Sequence, residues 1–271
     1  MRLQLTDGYY LHFNQLSRML QYAFENIEKP KINSIEYVDF LGQSPKNVEA
    51  LRVILVELGL LNSRVLTLSD FGKYVAKYDL FFENLSTLWI CHYNISSDYD
   101  NYVWYRFTNK ILSVVNNYTK EDFYKYYDDV AEINKGKSAI KNMHKEVVSL
   151  INAYSVQQFK YLRLLYKDHE DKYQRDHQVE VDPLVFLYCL LLFLENKNIN
   201  ATALTLNEII NNEDTPSKVF HLEEPIINDI LNRLHSKQLI GLEKFGDLNQ
   251  ARFPNHLTKE LVLKEIYGVT L

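Results

Sequence analysis

"NKGKSAIKNMHKEVVSLINAYS", Asn134 to Ser155, decides the fold: its first half is cationic and its second half is an apolar stripe. Asn134 to Lys145 holds four lysines and no acid, inside a chain whose formal charge is −5 at pH 7. Ile140, Met143, Val147, Leu150 and Ile151 recur at three- and four-residue intervals, which predicts one face of a helix starting near Ser138. Before it, "TKEDFYKYYDDVAEI" is amphipathic, with Thr119 as a natural cap and Glu121 and Asp122 in the first turn. After it, "KYLRLLYKD" and "KYQRDHQVEVD" flank the polar His169, Glu170 and Asp171, the outline of a β-hairpin. Helix, basic helix, hairpin is the order of a winged helix-turn-helix.

Working outward, "QSPKNVEALRVILVELGLLNS" opens on Ser44-Pro45, a helix-start pair. It carries the stripe Val48, Leu51, Leu55 and Leu58, and Gly59 stops it. With the short segment from Ile35 before it, this reads as a helix-turn-helix with a following strand, or as a plain helical hairpin. Leu85 to Leu112 reads as two packed helices. Beyond Pro183, a long apolar helix leads to a second one marked by Ile226, Ile227, Ile230, Leu231 and Leu234, and then to two strands around a Gly246-Asp247 turn. The expected fold is mainly α with small β-hairpin wings: winged helix-turn-helix modules joined by a helical middle. Its expected divisions are 1–80, a helix-turn-helix-like module; 81–117, a helical connector; 118–182, a central winged-helix module with a basic face; and 183–271, a winged-helix-like module.

Two chemistries compete for the lysines. A phosphate-binding loop requires G-x-x-x-x-G-K-[ST] behind a buried strand. Gly136-Lys137-Ser138 supplies the end of it, but position 131 is Ala and the preceding segment is acidic and helical. The polyanion reading fits better. From Asn134 to Arg175 nine cationic side chains face four carboxylates, a net +5, while the rest of the chain sums to −10. On the predicted helix Lys141 and Lys145 share a face with Ser138 and Asn142, and Lys135 and Lys137 precede them. Arg163, Lys167, Lys172 and Arg175 on the hairpin extend the charge. Lysines on such a face pair with phosphates, and Asn142 and His144 are the base-edge candidates. The acidic total, by contrast, opposes strong nonspecific DNA affinity.

Other chemistry is thinly supported. Cys91 and Cys189 are distant and apolar in context, which predicts reduced, buried thiols rather than a disulfide or zinc site. Glu170-Asp171-Lys172 lies in a polar turn, not on the buried strand a nuclease needs. His221 and Glu223 lack the paired cysteines of a zinc deaminase. Asp168, His169, Asp171, Asp176 and His177 would suit a divalent ion but are explained as a charged hairpin tip. His92 has no motif partner and reads as a core histidine. No catalytic residue, metal or cofactor is therefore expected. The most apolar run, Leu184 to Leu194, is far short of the roughly 20 residues that cross a bilayer. With no signal-peptide core at the start, the expected location is the cytoplasm.

"NLSTLWICHYNIS", "YVWYRFTN", "KSAIKNMHKEVVSLINAY" and "LTLNEIINNEDTPSKVFHLEEPIINDIL" together resemble the bacterial family called domain of unknown function 4007. Thr87, Leu88, Trp89 and His92 match its T-L-W-x-x-H, and Trp104, Phe107 and Asn109 its aromatic W-x-x-F-N with one extra residue. Pro216, Val219, Phe220, Leu222 and Glu223 meet its S-P-x-x-V-F-x-L-[DE], with Thr215 in place of Ser. His12 and Arg18 keep a family spacing, but the E-T-F-P between them has become "FNQL". The resemblance implies a companion of DNA phosphorothioation and related phage-defence gene clusters, with reductase-like or ATPase subunits as partners. It supplies no catalytic residues.

The expected function is thus a DNA-binding accessory of a DNA-modification or phage-defence system, acting on double-stranded DNA without membrane contact. One alternative is a protein adaptor of such a system that never touches DNA, its surface being the carboxyl-terminal module, where Glu223, Glu224 and Asp229 repel phosphate. Another is a metal-dependent enzyme using the 168 to 177 cluster.

Overall fold

Side-chain caps start most of the helices, as their residue types require. Asn33 and Glu36 form a reciprocal capping box, as do Thr119 with Asp122 and Thr205 with Glu208. Ser44, Ser69, Asn84, Asp182 and Thr258 each accept a backbone N–H in the first turn. The computed structural model describes residues 2–6, 8–130, 137–176, 180–199, 201–245 and 248–269. It is mainly helical with small antiparallel sheets, and divides into two compact units, Met1–Gln178 and Val179–Leu271.

The first unit runs α1 (Phe13–Glu25), α2 (Ser34–Leu41), α3 (Pro45–Glu57), α4 (Asp70–Tyr78), α5 (Leu85–Ser97) and α6 (Tyr102–Arg106). α6 continues into a π turn, Phe107–Ile111, which periodicity had not indicated. Then come α7 (Lys120–Lys125), α8 (Lys137–Ser155) and the paired two-residue strands β1 (Tyr166–Lys167) and β2 (Tyr173–Gln174). Single bridges join Leu61 to Leu68 and Tyr118 to Tyr173. The core is aromatic: Phe13 meets Phe82 and Phe159 edge-on at 5.0 and 5.6 Å, and Phe107 stacks on Tyr154 at 5.3 Å.

The second unit contains α9 (Pro183–Asn196), β3 (Ala203–Thr205), α10 (Leu206–Asn211), α11 (Pro216–Val219), α12 (Glu224–Ser236), β4 (Gly241–Phe245), β5 (Leu248–Arg252) and α13 (Lys259–Ile266). Its sheet order is β3-β5-β4, all antiparallel. The apolar run of α9 is buried along most of its length, and among the described residues no helix is long and apolar enough to cross a membrane. On α12, Ile227, Ile230, Leu231 and Leu234 are buried while Ile226 is half-buried. The expected Gly246-Asp247 turn lies outside the described residues, although the strands on either side pair as far as Phe245 and Leu248. Cys91 and Cys189 are both buried, and neither is in a disulfide among the described residues.

Candidate nucleic-acid interface

α8 is a 19-residue helix with two unlike faces. Met143, Val147, Leu150 and Ile151 are buried, each 2% exposed or less. Ser138, Lys141 and Lys145 are exposed and Asn142 is half-buried, so the expected cationic face exists. Ile140 departs from the predicted stripe: it is half-buried and lines a surface cleft. Lys135 lies outside the described residues, as does the side chain of Lys137.

The hairpin cations behave differently. Arg163 pairs with Asp176 at 2.7 Å, Lys172 with Glu170 at 3.0 Å, and Lys167 with Asp171. Arg175 is half-buried. The net +5 read from the sequence is therefore not one continuous positive face, because the hairpin's carboxylates sit on its own cations. Exposed pairs of this kind are weak and exchangeable, but their local field is close to neutral. The metal candidates are engaged in the same way. Asp168 accepts the backbone N–H groups of Glu170 and Lys172 and the Gln174 amide, while Asp171 and Asp176 hold Lys167 and Arg163. His177 lies outside the described residues, and among those described no group of three His, Cys, Asp or Glu side chains is placed to share an ion.

Glu146 corrects the charge reckoning more sharply. The sequence places it among the acids opposing the lysines, yet it is 0% exposed and turned inward. One of its carboxylate oxygens accepts the backbone N–H and the hydroxyl of Thr6, both at 2.9 Å, and the other accepts Trp104 Nε1–H at 2.8 Å. Burial in a low-dielectric site pushes its carboxyl above the usual range, and these donors only partly oppose that. One turn on, Ser149 Oγ donates to the Tyr9 carbonyl at 2.6 Å. Gly8, at φ +80°, lets the chain pass close over the stem of Lys145, whose Cδ would lie 3.3 Å from a Cβ at that position. The amino-terminal segment is thus a strap tied across α8. Strap, α7 and α8 border an open surface cleft of about 560 Å³, to which Tyr10, Tyr124, His144, Lys141 and Lys145 contribute. Tyr124 and His144 stack with centroids 4.1 Å apart. Sequence reading missed Tyr10 and Tyr124; the only local signal was a glycine beside two tyrosines near the start.

The motif residues matched on α5 and α6 lie in the first unit. Thr87, Leu88, Trp89 and His92 of α5 are buried, and His92 Nδ1 lies 2.6 Å from the Tyr154 hydroxyl and 3.3 Å from Ser96 Oγ. His92 is thus a hydrogen-bonded core histidine, as expected. Burial raises the Tyr154 hydroxyl's pKa, so it stays protonated. Tyr154→Phe is expected to lower the stability of the first unit by about 1 kcal/mol, because His92 Nδ1 loses the nearer of its two hydroxyl partners; chemical denaturation measures this, and an unchanged midpoint would show the hydrogen bond to be idle. Asn109 donates to the Tyr105 carbonyl at 3.0 Å, stabilising the π turn. A family model described as "Protein of unknown function (DUF4007)" matches residues 21–267. The chain belongs to that family. The DUF4007 match begins after the strap, so Thr6 to Tyr10 lie outside it. No curated protein matches the sequence significantly. Among solved structures, a crystal structure of SspB with magnesium bound is similar at TM-score 0.73 and 17% identity, covering 97% of this chain and 87% of that one. A second SspB crystal structure is similar at TM-score 0.72 and 15% identity, with the same coverage. At such identities the likeness is one of fold.

Proposed function

We propose that this DUF4007 protein is a DNA-binding accessory of a DNA-modification or phage-defence system, of the phosphorothioation type its family resemblance implies, and that α8 lies against double-stranded DNA. The observation that carries this is the pair Lys141 and Lys145, four residues apart and exposed, with no ion pair to a described carboxylate, while the neighbouring hairpin cations are paired. Ser138 and Asn142 stand beside them as neutral donors to backbone or base edges. Arg163, Lys167 and Lys172 are secondary contacts that exchange a carboxylate for a phosphate.

A winged helix-turn-helix reading of the elements accords with this proposal. In the second unit the order helix, strand, helices, hairpin with strands arranged β3-β5-β4 supports that reading. In the first unit Tyr118, α7, α8 and the β1-β2 hairpin repeat it, with Tyr118 bridging to β2. Residues 32–68 do so once more: Ile32 N–H donates to the Val65 carbonyl, α2 and α3 follow Ile32, and Leu61 bridges to Leu68.

Lys141→Glu/Lys145→Glu is expected to weaken duplex binding at low salt by at least about tenfold. It should also flatten the plot of log affinity against log salt by about 0.9 for each phosphate that is no longer neutralised. Fluorescence anisotropy at several salt concentrations checks both, and unchanged affinity and slope would refute the assignment of this face.

A protein-adaptor role is the second reading. It draws on α12, which begins with exposed Glu223 and Glu224, bears Asp229, and borders a groove carrying Asn228, Asn232 and Gln250. Reductase-like or ATPase partners that co-purify despite nuclease treatment would favour it. The carboxylates of the 168 to 176 hairpin, already engaged by their own chain, support a binding role over a metal-dependent catalytic one. Titration with magnesium followed by calorimetry tests that choice, and heat of binding that depends on Asp168 would reverse it.

A further inference from the structure

We propose that the cleft between the strap and α8 takes an unpaired nucleotide of a DNA strand, its base stacked on Tyr10 and its phosphates held by Lys141 and Lys145. The inference rests on the DNA-contact reading above and specifies what the face receives. A duplex presents phosphates and groove edges but keeps the flat faces of its bases inside the stack. Only an unpaired base has a π face to offer, and aromatic side chains beside cations are how proteins hold one.

The cleft has that composition. Its aromatic rings are Tyr10, Tyr124 and His144, its cations are Lys141 and Lys145, and none of its described lining residues is acidic. Glu146, next to Lys145 in the chain, is turned to the buried side, where it ties down Thr6 instead of facing the cleft; Asp7, next to Gly8, lies outside the described residues. Tyr10 is 37% exposed, and its ring meets that of His12 in a T-shaped contact at 5.9 Å. At about 560 Å³ the cleft falls within the range of small-molecule pockets, and so is large enough for one nucleotide unit.

The site is also held ready. Two anchors fix the strap, Thr6 on Glu146 and the Tyr9 carbonyl on Ser149, and Tyr10 follows directly. Stacking of Tyr124 on His144 fixes the helix-side wall. Little ordering is left to be done on binding. Glu146 and Ser149 are positioning residues in this scheme.

The test compares a short labelled single strand, the blunt duplex of the same sequence, and that duplex with a short gap, by anisotropy with the full chain at one salt concentration. The gapped and single-stranded probes are expected to bind about tenfold more tightly than the blunt duplex, in line with the worth of one base–aromatic stack. Tyr10→Ala should abolish that difference while leaving blunt-duplex affinity in place, and Tyr10→Phe should restore it. Thermal melts of both variants confirm folding. Equal binding of all three probes, or a preference that survives Tyr10→Ala, overturns the proposal while the DNA-contact reading stands. Binding to no DNA at all removes both. Displacement of the single strand by adenosine or thymidine monophosphate at concentrations comparable to the oligonucleotide would show that a free nucleotide is the ligand, and would overturn the strand assignment.

Discussion

Glu146→Ala is expected to destabilise the first unit by about 3 kcal/mol, the loss of several hydrogen bonds to a charged acceptor set against relief from burying it. For a unit of this size that lowers Tm by roughly 6–12 °C. The mutation leaves the Thr6 N–H and hydroxyl and the Trp104 indole N–H without an acceptor in a dry site. It also releases the strap. Glu146→Gln should fall between, because its carbonyl oxygen still accepts from one side. Thermal unfolding followed by circular dichroism measures the loss, and near-ultraviolet signals from the buried Trp104 report whether the packing around it has opened. A variant as stable as the wild type would mean that the strap is not held there.

The same residue sets a pH dependence whose sign follows from its raised carboxyl. Between the unfolded value, about 4.3, and its higher folded value, the native chain keeps a proton that the unfolded chain has released. Stability contributed by Glu146 is therefore greatest below that window and declines as pH rises through it. The margin of the wild type over Glu146→Gln should narrow across the window and then level. A margin that widens would show that the donors, and not burial, govern the carboxyl.

Gly72→Ala is the second large effect, and its sign opposes helix propensity. An alanine inside a helix ordinarily gains about 1 kcal/mol over glycine. Here a Cβ would lie 2.0 Å from the Leu60 carbonyl oxygen, which is backbone and cannot rotate away. That carbonyl also accepts the Ser69 N–H at 3.0 Å, so moving it disturbs the start of α4. Overpacking at such a close approach is expected to cost about 3 kcal/mol. Urea unfolding decides the matter, since a variant at or above wild-type stability would mean that α4 does not pack so closely on residue 60.

Local chemistry made much of the architecture legible. Thr119 with Asp122 announced α7, Ser44-Pro45 announced α3, and the apolar stripe of 143 to 151 placed the inward face of α8. His92, with no motif partner, was read as a core residue and is buried against Tyr154. Less visible were departures from regular periodicity: the π turn after Arg106 and the shortness of β1 and β2. A two-residue strand carries no pattern to detect. The candidate site divided along the same line. Lys141 and Lys145 could be placed on one face from spacing alone, whereas Tyr10 and Tyr124 could not be joined to them.

By itself the sequence determined where the helices start, which of their faces turn inward, and that positive charge gathers between Asn134 and Arg175. Tertiary structure alone decided which of those charges remain available. It buried Glu146 under Thr6, 140 positions away, set Asp176 on Arg163, and left Lys141 and Lys145 beside a cleft walled by the strap. The reason is physical. Helix starts and faces depend on neighbours within one or two turns, while the effect of a charge depends on its solvent and its partners, which chain distance does not encode.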